Sequence, residues 1–136
     1  MAARSTRIVR NGCGYVYQIP CEDKVWLEEF LYKNQTAIHL LLDCSVGTSY
    51  ENFSHSLIEL ETAINELAIS ECMQFQIKQS MDADFIHIIS CCFINSVLSI
   101  PLRQHTNGRQ QYLRILGDYF SFYEAGWKHL PNKAIP

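Results

Sequence analysis

Charge is scarce in this sequence. Only 18% of its 136 residues are Asp, Glu, Lys or Arg, and the formal net charge is −3. That balance lacks the clustered positive charge a duplex nucleic-acid binder needs to neutralise phosphates. The one basic cluster, Arg4, Arg7 and Arg10, lies on an N-terminal arm and reads as solvated surface. Long apolar runs are missing too: residues 85–102, the longest candidate, are broken by His87, Ser90, Asn95 and Pro101. No segment therefore offers the ~18 apolar residues of a membrane span. None of the six cysteines, Cys13, Cys21, Cys44, Cys72, Cys91 and Cys92, belongs to a Cys-x-x-Cys pair, so a metal has no support. Without a secretory leader or a compact disulfide spacing, six thiols point to a reducing cytoplasm. No Gly-x-x-x-x-Gly-Lys occurs, and the Cys-x5-Arg loop of cysteine phosphatases would need Arg where Tyr50 stands. No cofactor is expected.

What the chain does have is apolar and aromatic. Hydrophobic residues reach 48%, including seven Phe, seven Tyr and two Trp, which excludes disorder. The length suits one domain, 1–136, with 1–5 and 128–136 loose. Its apolar content exceeds what a small monomer easily hides, so a protein partner or a homodimer is expected.

Taken in order, 6–19 read as a hairpin with Asn11-Gly12 at the turn and Tyr15, Tyr17 and Ile19 on one face. Pro20 ends it, and Glu22-Asp23 open a helix to Lys33 with Val25, Trp26, Phe30 and Leu31 as its apolar stripe. Thr36 to Cys44 is almost continuously apolar, the pattern of a central strand covered on both faces. A helix follows over 50–69, with Phe53, Leu57, Leu60, Ile64 and Leu67 as its core stripe and Glu51, Glu59, Glu61 and Glu66 on or beside the other face. Met73 to Lys78 alternates like an edge strand. Residues 84–100 fit either a strand or a buried helix capped at Asp82 or Asp84, the helix being preferred. A last helix spans 109–125, with Gly126 as its C-cap. The predicted fold class is α/β: a mixed sheet of four or five strands with an N-terminal hairpin, packed by helices, plus an aromatic C-terminal helix.

Ligands in open α/β sheets bind at the carboxyl ends of strands, which makes the turn after the central strand the first place to look. Asp43, Cys44, Ser45, Thr48 and Ser49 lie there, with Ser54 just beyond. These are candidates for an anion, a ligand or a phosphate, although a polar turn with no ligand is the simpler reading. Cys21 precedes a helix whose dipole would activate a thiol, but no His is near to serve it. Cys91-Cys92 read as buried small hydrophobes. His39 and Asp43 would share one strand face ~13 Å apart, His39 as a buried histidine with a satisfied ring, and His55 is a solvated neighbour of Glu51 and Glu59. The aromatic last helix is the better candidate for action. Ordinary core packing accounts for about half of its aromatic residues, and Tyr112, Leu116, Tyr119, Phe120, Tyr123 and Trp127 are the candidates for a dimer or partner surface, since aromatic residues are enriched there.

The inferred element order, with Leu41-Leu42-Asp43 ending the central strand, resembles the STAS domain of anti-sigma-factor antagonists, small cytosolic proteins that bind a partner kinase. The resemblance covers about 6–92. It implies a phosphoacceptor Ser in an Asp-Ser-Ser-Gly element, where an ungapped placement puts Glu51-Asn52-Phe53-Ser54. Asn52 stands at the acceptor position, leaving Ser49 or Ser54 as the available hydroxyls. The function expected is a non-enzymatic regulatory or assembly protein working through protein–protein contact. The alternatives are a small enzyme or anion- or nucleotide-binding domain using the 43–50 turn, and an immunity-type inhibitor of a basic toxin.

Overall fold

A computed structural model describes residues 7–11, 14–75, 82–100 and 108–129, with the side chains of 9–16 and 71–75 excepted. Two short strands, β1 (Ile8–Asn11) and β2 (Gly14–Tyr17), pair antiparallel with Ile8 opposite Tyr17 and Asn11 opposite Gly14. Asn11 thus belongs to the strand rather than to the turn. Among the described residues five helices follow: α1 (Cys21–Lys33), α2 (Gln35–Asp43), α3 (Phe53–Phe75), α4 (Ala83–Ser99) and α5 (Gly108–His129). The sheet is two-stranded, and no other strand exists among the described residues. The expected α/β fold is therefore overturned in favour of a helical fold carrying a hairpin, and the STAS-like arrangement goes with it, because the element that would have been its central strand is α2.

The physical reason is visible in α2. Its sequence, Gln-Thr-Ala-Ile-His-Leu-Leu-Leu-Asp, is rich in Ala and Leu, which lose little freedom in a helix, and has only two β-branched residues. A doubly covered strand would bury the whole run, yet only Ile38 is buried, with Leu41 and Leu42 half-buried and Leu40 exposed. Asn34 separates α1 from α2: its backbone N–H and its side-chain Nδ2 both donate to Phe30 O, at 3.1 and 2.7 Å. That closes α1, and α2 starts at the next residue.

Helix α3 continues to Phe75 and absorbs the first half of the expected edge strand; 76–78 lie outside the described residues. Helix α4 confirms the helical choice for 84–100, with Asp82 as N-cap accepting from the Asp84 N–H at 2.8 Å. Helix α5 runs past Gly126 rather than ending there. Continuing one turn seats Trp127 in the core, where it is 1% exposed.

The core lies between the hairpin, α3, α4 and α5, with Leu31 and Ile38 entering from α1 and α2. Helix α3 packs most extensively against α4. An aromatic stack fills the centre. Phe93 of α4 lies 4.2 Å from Tyr123 between ring centroids, Tyr17 of β2 stacks on Trp127 at 5.5 Å, and Tyr17 meets Tyr123 edge to face at 6.1 Å. Each such pair adds about 0.5–1.5 kcal/mol beyond the area it buries.

Candidate functional site

The turn first proposed as a site connects two helices, not a strand to a helix, and its polar groups are committed to one another. The Ser45 hydroxyl donates to Leu41 O at 2.6 Å, the Thr48 hydroxyl donates to Ser45 O at 2.6 Å and accepts from the Tyr50 N–H at 3.2 Å. The Gly47 N–H donates to a Glu51 carboxylate oxygen at 3.0 Å, with Gly47 in the left-handed region at φ +84°. Asp43, Cys44 and Ser49 are exposed around this closed turn, and Ser54 is half-buried in the first turn of α3. Asp43 instead pairs with His39, Nδ1 to Oδ2 at 2.9 Å, because four residues along a helix bring side chains together that a strand would hold apart. Both are more than half exposed, so His39 is not the buried histidine expected. His55 lies 3.9 Å from Glu59 on the surface. Cys91 is half-buried and Cys92 exposed, against the expectation of two buried thiols, and Cys21 is exposed.

The aromatic face of α5 is also reassigned. Tyr112, Leu116, Phe120, Tyr123 and Trp127 are all 5% exposed or less and form the interior of the chain itself. Tyr119 is half-buried, its hydroxyl donating to Cys92 O at 3.3 Å. The hairpin, α1 and α4 cover this face, so its aromatic surplus is spent on the core. Phe122, on the far side of α5, is 76% exposed.

Sequence patterning missed the polar cluster at the centre of the molecule. Asn65 is fully buried and joins five side chains. Its Oδ1 accepts from the Tyr17 hydroxyl at 2.7 Å and from Arg7 at 3.2 Å, while its Nδ2 donates to Tyr123 Oη at 2.6 Å, Ser90 Oγ at 2.9 Å and Glu61 Oε1 at 3.3 Å. Arg7 grips Glu61 with both terminal nitrogens, one of them at 2.9 Å from Oε2. Its other terminal nitrogen also donates to Tyr17 Oη at 2.9 Å. Tyr123 Oη donates to Glu61 Oε1 at 2.9 Å, and Ser90 Oγ to Ile86 O at 2.8 Å. Burial alone would lower the Arg7 pKa, but the hydrogen bond and charge of Glu61 outweigh it and hold the guanidinium above its ordinary range. Burial raises the phenols of Tyr17 and Tyr123. Arg7, expected as solvated surface, keeps 12% of its side chain exposed, and Glu61, expected on or beside the outer face, keeps 5%; the two are paired. The available signal was Glu61-x-x-x-Asn65 lying in register with Ala68 and Ile69 along one face of α3.

This cluster has the arrangement of a structural tie. Each buried side-chain nitrogen and oxygen in it has a hydrogen-bond partner, it joins Arg7, just ahead of β1, to β2, α3, α4 and α5, and all of its members but Arg7 are buried. Trp127 Nε1 is the exception, buried near enough to the Tyr123 hydroxyl to act on it but without a hydrogen bond of ordinary geometry. A second tie holds the hairpin exit: buried Glu124 accepts from the Ile19 N–H at 3.1 Å and from Lys24 Nζ at 2.6 Å. Among the described residues, no group of three or more His, Cys, Asp or Glu could hold a metal, and no helix is long and apolar enough to cross a membrane.

What remains unused is the outer face of α1. The stripe read as core, Val25, Trp26, Phe30 and Leu31, contributes only Leu31 to the interior. Val25 is 49%, Trp26 62% and Phe30 41% exposed. Trp26 and Phe30, one turn apart, stack on each other at 4.9 Å with 14° between ring planes. The other side of α1 is fixed in place, Tyr32 against Tyr112 at 5.5 Å and Lys24 on Glu124, so the two rings are presented from an anchored helix. Glu22, Asp23, Glu29 and Lys33, all exposed, rim them. No protein-family model, curated protein or solved structure matches the chain.

Proposed function

We propose that this chain is a non-enzymatic interaction module, regulatory or structural in an assembly, that binds protein through the outer face of α1. The observation that carries the reading is the exposed Trp26–Phe30 stack. Two large rings left in water on a well-anchored helix cost free energy that covering them would recover, and Trp with a polar rim is the usual anatomy of an interface centre. The interior supports the same reading, since its polar residues are consumed in holding the fold and the 43–50 turn is closed on itself. A cytoplasmic setting belongs to this proposal, supported by the unpaired state of Cys21, Cys44, Cys91 and Cys92.

The test is a Trp26→Ala/Phe30→Ala variant compared with the parent chain by cross-linking in cells and by thermal melting. The variant should melt within a few degrees of the parent, because neither ring is in the core, and should lose at least one cross-linked protein, which can be a second copy of the chain. An unchanged set of cross-linked proteins would overturn the assignment of this face.

A further inference from the structure

We infer that the α1 face receives a second copy of this chain, packed antiparallel across a two-fold axis level with Glu28. The inference rests on the interaction reading above and names its partner. It comes from the way charge is distributed along the face. Acid stands at the start of α1, Glu22 and Asp23, and base at its end, Lys33, with the Trp26–Phe30 stack between them. Among the described residues neither Glu22 nor Lys33 makes an ion pair within its own chain.

Helical geometry fixes what an antiparallel pairing does with that pattern. An axis midway between Trp26 and Phe30 lies ~3 Å along the helix from each, at ~1.5 Å rise per residue. The two-fold then sets Trp26 against the partner's Phe30, and Phe30 against the partner's Trp26. Lys33 falls ~7.5 Å to one side of the axis, and the partner's Glu22 falls ~9 Å to the same side. Glu22 and Lys33 also share one edge of the face, about 20° apart around the helix, and a two-fold lying in the interface keeps that edge aligned with itself. Glu22 therefore meets the partner's Lys33 twice around an aromatic centre, with exposed Glu29, ~1.5 Å from the axis along the helix, level with the partner's Glu29 on the same edge. A parallel pairing would set like charges opposite each other. Such self-complementarity is what an isologous dimer requires of its surface.

Sedimentation velocity on the full chain over a concentration series tests this. The parent should show a concentration-dependent monomer–dimer equilibrium, and Trp26→Glu should weaken it by roughly 30-fold or more, as loss of a central aromatic residue does. Glu22→Lys and Lys33→Glu should each weaken self-association by about tenfold, because each homodimer then opposes like charges. An equimolar mixture of the two should recover the parent's affinity as a heterodimer, an outcome no loss of folding can imitate. Circular dichroism checks that each variant is folded. A parent that stays monomeric throughout, a dimer indifferent to Trp26→Glu, or folded swap variants that do not rescue one another would each overturn the inference. If the parent is monomeric while the Trp26→Ala/Phe30→Ala variant loses a different cross-linked protein, the second copy is excluded and the interaction reading stands.

Discussion

Asn65 and the Arg7–Glu61 pair show how much of this interior depends on polar groups being satisfied together. A buried ion pair is poor evidence of net stability, because desolvating two charges offsets most of their attraction. Removing one partner is another matter, since the other is left charged and buried. Glu61→Leu should lower unfolding free energy by about 3 kcal/mol or more, and Arg7→Met by a comparable amount, whereas the double variant should cost clearly less than their sum. Urea denaturation of the four proteins measures this. Additive single effects, or a cost for Glu61→Leu below about 1 kcal/mol, would show that the pair is not the buried tie described. These residues were illegible in the sequence for a physical reason: Glu and Arg are almost never fully buried unless paired. The partners lie 54 positions apart, a separation no local pattern reveals.

At the level of elements, local chemistry was legible and burial was not. Pro20 with Glu22-Asp23 marked the start of α1, and Asp82 marked α4, because capping needs only near neighbours. The apolar stripes misled. In α3, Leu60 is exposed while Glu61 and Asn65 are buried, and in α1 Val25, Trp26 and Phe30 of the expected core stripe face out while Leu31 is buried. Apolar continuity in 36–44 looked like a doubly covered strand because covering elements cannot be seen from within a segment. Helix α5 carries the clearest consequence. Gly117 and Gly126 lie inside it, and a methyl group added to either meets nothing within 4 Å. Gly117→Ala and Gly126→Ala should each stabilise the protein by about 0.5–1 kcal/mol by restricting the unfolded chain. Gly47→Ala should destabilise it, since φ there is +84°. Thermal melts of the three variants check the signs, and a loss of stability in Gly126→Ala would contradict the continuation of α5 through that position.

Across the whole molecule, the hairpin and the helices share one core, so a change in its tyrosines should be felt as loss of the entire fold. Tyr17 and Tyr123 have pKa values raised by burial, whereas the same phenols ionise near pH 10 once the chain is unfolded. Their contribution is therefore fully present below about pH 10 and is lost as pH rises toward the folded values, by up to about 1.4 kcal/mol per pH unit for each residue. Urea midpoints should hold steady up to about pH 9 and fall beyond it. The part of the phenolate absorbance that Tyr17→Phe or Tyr123→Phe removes should arise together with the loss of helical signal, not before it. If that part appears while the helices are intact, at least one of these two hydroxyls is in contact with water.

The bond from the Ile19 N–H to Glu124 spans 105 positions, and Trp127, which stacks on Tyr17, lies further on. A ribosome delivers these residues in the opposite of the order in which they are needed. Tyr17 and Ile19 emerge early and must wait, with their apolar surfaces open, until α5 is almost fully synthesised. A nascent chain halted before about residue 124 holds every other element of the fold and still lacks the piece that closes it. Chaperone occupancy on the nascent chain should therefore persist until α5 has been synthesised and has cleared the ribosomal exit tunnel.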